Sequence, residues 1–505
     1  MHAQPYGSLL EQLDQTAFIS LSNLLDRTLE GNDEVVRTNF LEHLSGDEIL
    51  QDFEEKVYAP GLEWLNSTLQ EIELKQKDKF GPRSIQKSWE ERRSQILEHF
   101  DPPQGIDTSD RSDFINLFHG QGTLRPKSWP EVSKAMKRTT SSGLPYMRPK
   151  GKLLDDGFDP EGVHSGKATF EGGPWPCVLF TRTQEGGKTR DIWGESIYTL
   201  AFEGKYFLPV FNILKVHPML TALQGPDAVD IAITTMLNSR GPGEYCLSED
   251  FQAFDATVGT DLQAVAFTAI ASFFQPEERD NVQRIADQFS SIGIVTPDGV
   301  WSGEHGIPSG SCFTNLVGSL VHAYAQSQII DLCPSSNQVM GDDGVMILPE
   351  TISPEDLQER YGSMGLKFNA EKTFQSEDEV IYLQRYYSSD YKRGRNYVGV
   401  YPIFRALGRL VYMERKTNMT NEIGDDYFAI RAISIMENCK FHPLHEEFVK
   451  WVFQNDMYGL EYSQDSLKRY LKSLGSKITT NIKNQYSDYV EGIHSFETVK
   501  ILKRL

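Results

Sequence analysis

Val339-Met340-Gly341-Asp342-Asp343-Gly344-Val345-Met346-Ile347 sets two neighbouring carboxylates at a glycine-flanked turn between apolar runs. The runs predict two short strands within residues 337–348, joined by a tight turn. Adjacent anions in such a place repel and are poorly solvated, so they stay ionised mainly where a hard cation neutralises them. An ordinary hairpin turn is the plainer reading, because Asp and Gly are favoured at turns. The chain contains its own comparison. Gly424-Asp425-Asp426 repeats the tripeptide but precedes Tyr427-Phe428-Ala429-Ile430-Arg431-Ala432-Ile433, where an Asp is expected simply to cap a helix.

Context separates the two copies. Asp250-Phe251-Gln252-Ala253-Phe254-Asp255 supplies a second acidic pair at the end of a strand candidate, residues 246–251. Two-metal phosphoryl transfer needs carboxylates from separate segments, because ions about 3.5–4 Å apart must bridge nucleophile, phosphate and leaving group. Magnesium prefers carboxylate and phosphate oxygens. Asp250 and Asp342 are therefore the candidates to bridge two ions, with Asp343 beside them; a solvated turn is the bland alternative for the first pair.

Size and composition bound the rest. At 505 residues and 39% hydrophobic content, the chain can bury large cores and divide into several subdomains, which excludes a small binding module. Its most continuous apolar stretch, residues 264–274, is interrupted by Thr268 and Ser272 and falls well short of the ~20 residues of a membrane span. No charged start followed by an apolar run suggests secretion. The five cysteines, Cys177, Cys246, Cys312, Cys333 and Cys439, are too few and scattered for a disulfide framework or zinc site, so reduced thiols in an intracellular compartment are expected.

A net charge of -21 argues at first sight against nucleic acid, since phosphate contacts need lysine and arginine. The distribution weakens that objection. Residues 1–70 hold 13 acids against 3 bases, whereas residues 121–152 hold eight bases against Glu131 alone, and residues 385–416 eight against Asp390 and Glu414. Either basic stretch by itself is ordinary solvated surface; flanking a catalytic centre, the two read as channel walls. Periodicity predicts helices across residues 8–100, a strand–loop–strand over 175–200, helices over 260–274 and 356–364, a strand over 380–387, and a mostly helical end from about 425. Helices on a short antiparallel sheet make an α+β arrangement.

Residues 140–387 resemble, motif by motif and in order, the RNA-dependent RNA polymerases of positive-strand and double-stranded RNA viruses, most nearly those of picobirnaviruses and then partitiviruses. Asp250 to Asp255 resembles motif A, Ser309-Gly310-Ser311-Cys312-Phe313-Thr314 motif B, and Gly341-Asp342-Asp343 motif C. Gly365-Leu366 with Lys372 looks like motif D, whose lysine is held to protonate the leaving pyrophosphate, and Tyr382-Leu383-Gln384-Arg385 looks like motif E, which grips the primer end. Lys188-Thr189-Arg190-Asp191-Ile192 is similar to motif F, the basic finger for nucleotide phosphates, with Arg182 as a helper. Thr140-Ser141-Ser142-Gly143-Leu144-Pro145-Tyr146 is similar to the template-admitting motif G.

The resemblance implies catalysis by Asp250, Asp342, Asp343 and Lys372. It implies nucleotide binding by Arg182, Lys188, Arg190, Asp255, Ser309, Gly310, Thr314 and Asn315, and template or primer contacts from Thr140, Ser141, Gln384 and Arg385. One departure stands out. Picornavirus enzymes carry an asparagine nine residues after the motif B serine, to help the motif A aspartate read the ribose; Gly318 stands there. Asn315, one turn earlier on the same helix face, is expected to substitute, oriented toward Asp255. Ser309-Gly310 also has a plainer reading as a helix cap, and Lys372 as a solvent-exposed lysine. A P-loop reading of Gly186-Gly187-Lys188-Thr189 fails because Arg182 stands where that motif needs glycine.

The implied architecture is a closed right hand with a small antiparallel palm sheet. Residues 1–70 are an acidic segment wrapping or bridging the fingers; 71–205 form fingers, 206–274 palm, 275–306 a fingers insertion, 307–387 palm again and 388–505 thumb. Mg2+, with Mn2+ as substitute, RNA template and nascent RNA, ribonucleoside triphosphates and a capsid protein are the implied cofactors and partners. The implied location is the virion interior and host cytoplasm. The rivals are a reverse transcriptase or DNA polymerase, disfavoured by Asp255 where a bulky gate is usual, and an inactive RNA-binding scaffold, disfavoured by the presence of Asp250 and Asp342.

Overall fold

The computed structural model describes residues 1–473 and 489–505. Its central sheet grows from the Asp342-Asp343 turn. Strand β7 (Asn337–Met340) pairs with β8 (Asp343–Pro349), Met340 opposite Asp343, leaving Gly341-Asp342 as a two-residue loop. Only Gly341 of the loop pair has positive φ, +65°, a conformation that costs glycine nothing. Strand β4 (Glu244–Glu249) lies antiparallel to β8 with Glu249 opposite Gly344, and β9 (Phe374–Ser376) closes the far side, giving the order β7-β8-β4-β9.

Both faces of this sheet are covered. Tyr245, Leu247, Met346 and Leu348 enter a core shared with helices Ile197–Leu214, Thr260–Ser272, Thr314–Ser327 and Pro354–Ser363. The intervening Cys246, Val345 and Ile347 enter a second core under helix Pro226–Ser239. Alternate residues of a strand point to opposite faces, so a strand buried on both sides reads as a continuous apolar run.

A second, five-stranded sheet has β2 (Cys177–Thr183) and β3 (Thr189–Gly194) at one edge and β1 (His2–Gln4) at the other. Between them lie β5 (Ile294–Thr296) and β6 (Gly299–Ser302), in the order β1-β6-β5-β2-β3. Residues near the start of the chain thus complete this sheet, while residues 40–80 pack on the C-terminal helices. Phe53 is fully buried among Phe404, Phe448 and Trp451, with ring centroids 5.5, 5.5 and 5.1 Å away. Glu73 accepts the N–H groups of Ile403 and Phe404 at 2.8 and 3.1 Å, a carboxylate neutralising the positive end of helix Ile403–Val411.

Three expectations need correction. The stretch 380–387 is two strands, β10 (Val380–Tyr382) and β11 (Arg385–Tyr387), because Leu383 and Gln384 both take positive φ and turn the chain. Asp425 precedes helix Asp426–Glu437 but makes no capping bond. Its own backbone is helical, which aims the side chain away from the free N–H groups, and its carboxylate accepts from Asn39 at 3.1 Å instead. Ser309-Gly310 is no cap either, since the next helix begins only at Thr314.

Candidate active site

The pairing register brings the two acidic motifs together. Asp250 directly follows Glu249 on β4, Glu249 faces Gly344 on β8, and Asp342 and Asp343 precede Gly344. The carboxylates influence one another as neighbours. Burial and the charge of Asp342 push Asp343 up to about 7. Asp255 opens onto the same space but is enclosed on its other sides; burial and Asp342 raise it to about 7, against the pull of Arg190. Asp250 is raised by burial and Asp342 despite Lys372 and Lys188, and Asn369 hydrogen-bonds to it.

This set suits hard divalent ions. All the donors are carboxylate oxygens from two chain segments, and burial first, then the charge of Asp342, raises Asp250, Asp255 and Asp343, a cost that a bound cation would offset. Among the described residues no His, Cys, Asp or Glu side chains already stand gathered as a ligating group; the carboxylates are adjacent and mutually repelled.

The β2–β3 hairpin faces them. Arg182 and Arg190 are directly opposed across its two strands and so project from one face. Lys188 lies within the field of Asp342, Lys372 and Asp250; burial and Arg190 lower its pKa, offset in part by the aspartates. Arg182 shares Glu414 with Arg83, at 3.5 and 2.9 Å, so its charge is partly spent within the protein. Lys372 is exposed beside Asp250.

The loop 309–314 is stitched into place by its own polar groups. Ser309 Oγ accepts the Trp193 N–H at 3.1 Å and donates to the Asp191 carbonyl at 3.3 Å. Thr314 Oγ1 donates to the Pro308 carbonyl at 2.6 Å. Buried Glu203 receives the Ser311 hydroxyl and the Cys312 N–H at 2.8 Å each. Gly310 lies so close to β3 that a Cβ would stand 1.6 Å from the Trp193 carbonyl oxygen.

Asn315 departs from expectation. No hydrogen bond joins it to Asp255; it is exposed, and its Nδ2 lies beside Gly341, 3.5 Å from where a Cβ would stand. Ser141 pairs through a lone β-bridge with Pro149 and, with Arg27 and Arg148, lines a cavity of about 620 Å³. Thr140 Oγ1 donates to the Lys137 carbonyl. Gln384 is exposed at the tip of the β10–β11 turn, whereas Arg385 donates to the Gly399 and Asn438 carbonyls at 3.0 and 3.2 Å. Several bases of the two basic stretches are likewise paired, among them Lys127, Arg138, Arg148, Arg405 and Lys416.

Sequence reasoning missed Glu203, Asn369, Glu249, Ser319 and His322. Each acts across more than 20 residues of chain or through the backbone, so no local spacing marks it.

Carboxylates at a hairpin turn, a basic hairpin opposite and a serine–glycine loop between them define a template-directed nucleotidyl transferase of the right-hand polymerase class. Residues 123–452 match the family described as viral RNA-dependent RNA polymerase. The chain is 31% identical over 450 residues to the potential RNA-dependent RNA polymerase of a human picobirnavirus, covering 85% of this chain and 83% of that one. It is 23% identical over 287 residues to the RNA-directed RNA polymerase of Cryptosporidium parvum virus 1, covering about half of each. The crystal structure of a human picobirnavirus RNA-dependent RNA polymerase superimposes with a TM-score of 0.84 at 28% identity, over 99% of both chains.

The chain belongs to the viral RNA-dependent RNA polymerases. It has their right-hand fold, and it is an RNA-directed nucleotidyl transferase of a family that works with divalent metal ions. No described helix is long and apolar enough to cross a membrane.

Proposed function

We propose that Asp250, Asp342 and Asp343 would hold two Mg2+ ions, or Mn2+ in substitution, and that the enzyme copies a viral RNA genome. The observation that carries this is the β4–β8 register, which sets Asp250 beside Asp342 and Asp343. Bound there, the ions would supply activation of the 3′-hydroxyl and neutralisation of charge on the phosphates. The chain's own part is positioning and charge. Lys188 and Arg190 hold the triphosphate, Arg190 as a fork and Lys188 as a point charge, with Arg182 assisting. Ser309, Gly310 and Thr314 shape the loop beneath the nucleotide, and Asp255 faces the sugar. Lys372 stands where it can give a proton to the departing pyrophosphate.

Thr140 and Ser141 border the template path, and Gln384 at its turn supports the primer end more directly than Arg385. Residues 71–205 and 275–306 act as fingers, 206–274 and 307–387 as palm, and 388–505 as thumb. Residues 1–70 tie fingers to thumb, supported by β1 at one end and the Phe53 cluster at the other. A capsid protein is a partner suited to the acidic N-terminal segment, and the virion interior and host cytoplasm are the places of action.

The test is single-nucleotide incorporation on a defined RNA template, ribo- against deoxynucleotides and Mg2+ against Mn2+. Asp342→Ala abolishes incorporation, because loss of metal forfeits several kcal/mol of transition-state stabilisation. Asp425→Ala, which loses only surface bonds to Asn39 and Tyr458, leaves the rate intact. The reverse order would reject the site.

A further inference from the structure

Directly behind the Asp342-Asp343 turn lies a closed polar network that the mechanism above does not use. Glu249 and His322 are both fully buried there. Glu249 Oε2 faces His322 Nε2 at 2.8 Å and accepts from Gln326 Nε2 at 2.6 Å, while Tyr361 Oη donates to Oε1. The other ring nitrogen, His322 Nδ1, stands 3.0 Å from the carbonyl oxygen of Gly341. A carbonyl only accepts, so Nδ1 carries a hydrogen; Nε2 faces a carboxylate that already receives two other donors, so it donates too. Each ring nitrogen thus faces an acceptor, the Gly341 carbonyl on one side and the Glu249 carboxyl group on the other. Burial pulls its pKa down, but the charge and hydrogen bond of Glu249, with the Gly341 carbonyl, raise it above the ordinary value.

The same turn is held on its other side, since the Gly341 N–H donates to Ser319 Oγ at 2.8 Å. Both polar groups of the Gly341 backbone therefore end on helix Thr314–Ser327. Gly344, just past the aspartates, records how tightly the pair is seated. A Cβ there would stand 2.3 Å from His322 Cε1 and 2.4 Å from Glu249 Oε2. A buried ion pair is weak evidence for stability, because its desolvation offsets its attraction; specifying one geometry is its better-attested use. Here Glu249 precedes Asp250, and Gly341 precedes Asp342.

We propose that His322 is a positioning residue for the reaction: through the Gly341 carbonyl, with Glu249 as its anchor and Ser319 as the opposing grip, it sets the distance between Asp250 and Asp342. This rests on the metal-binding reading given above.

Two nearly isosteric variants separate its two bonds. His322→Asn keeps a donor at the Nδ1 position, toward Gly341, and loses the bond to Glu249. His322→Gln keeps a donor at the Nε2 position, toward Glu249, and releases Gly341. Primed single-nucleotide incorporation is measured against nucleotide and Mg2+ concentration, with melting temperature for each protein. His322→Gln should lower kcat by about 10- to 100-fold, the scale on which small misplacements act. It should leave nucleotide KM unchanged and raise the Mg2+ needed for half-maximal rate, while His322→Asn, which loses its anchor but still holds Gly341, should lose several-fold less. Equal losses, a larger loss in His322→Asn, or losses that merely follow melting temperature overturn the proposal, because a structural role alone is harmed most by stranding buried Glu249. Should neither variant fold, Ser319→Ala carries the test, since it deletes the oxygen that receives the Gly341 N–H and otherwise only donates back to the Asn315 carbonyl within its own helix. A lowered kcat with a raised Mg2+ requirement supports the positioning role, and unchanged kinetics overturn it. Asp342→Ala runs alongside: its activity would reject the metal-site reading itself, a result distinct from failure of the His322 arm.

Discussion

Replacing Gly310 by alanine should disable the enzyme, whereas the same change at Gly318 should be harmless, and the difference comes from the atoms each added methyl would meet. At Gly310 a Cβ would lie 1.6 Å from the Trp193 carbonyl oxygen, against an ordinary minimum near 3.0 Å, so one partner must retreat by roughly 1.4 Å. The strand cannot retreat cheaply. Trp193 is paired with Leu179 across the β2–β3 hairpin, and its N–H is bonded to Ser309. The loop must move instead, and its bonds to Asp191 and Glu203 go with it. Overpacking of this kind costs about 1–3 kcal/mol, and a shift near 1 Å at a reacting centre costs up to ~100-fold in rate.

At Gly318, inside helix Thr314–Ser327, a Cβ meets Gly341 Cα at 3.6 Å and Ile307 and Phe254 at 3.7 Å, ordinary contacts. Alanine there gains up to about 1 kcal/mol of helix propensity. Incorporation kinetics and thermal melts on both variants decide the matter. Wild-type kinetics in Gly310→Ala, or a loss in Gly318→Ala as deep as that in Gly310→Ala, would refute the reasoning.

Asn315→Ala should leave the ratio of ribo- to deoxynucleotide incorporation nearly unchanged, since no bond links Asn315 to Asp255; a drop of more than about fivefold, the scale of a lost hydrogen bond, would show that the pair forms with substrate. Template affinity should fall with salt despite the net charge of -21. Lys134, Lys137, Lys152 and Arg395 are exposed and outside any ion pair among the described residues, and four such contacts on a single strand give a slope of about −3 in log affinity against log salt. Filter binding across a salt series measures it, and a flat response would remove these bases from the channel. Enclosure of their rings pushes partly buried His99 and buried His445 down to about 4. They are neutral in the fold but charge near 6.5 when unfolded, so the stability they contribute is present above about pH 6.5 and lost as pH falls toward 4. Melting curves of His445→Gln should show a shallower acid decline than wild type, and identical curves would refute this.

Much of the candidate site was legible because its chemistry is carried by residue types at short range. Asp250, Asp342 and Asp343 stand in strand-ending and turn contexts that are expensive for charge, and the two strands of the turn could be read from their apolar runs. The repeated tripeptide at Gly424 was set apart by the helical run after it, and a helix does follow, yet the capping bond expected there is absent, because a cap depends on the φ and ψ of one residue and not on its type. The 380–387 segment was misread for a related reason: nothing in Leu383-Gln384 signals two left-handed residues, and the turn shows only in the pairing of Val380–Tyr382 with Arg385–Tyr387.

By itself, the amino-acid sequence determined the class of chemistry and the order of the motifs, since hydrophobic period, turn residues and acidic pairs are local properties. Tertiary structure alone decided which groups answer one another across the chain: Glu203 with the loop at 311–312, Arg385 turned into the protein, Asn315 beside Gly341, and His322 between Glu249 and the Gly341 carbonyl. The hydrogen-bonded partners among these lie 14 residues apart at Arg385 and Gly399 and 108 apart at Glu203 and Ser311. Their meeting is set by strand register and helix packing, which no single stretch of sequence contains.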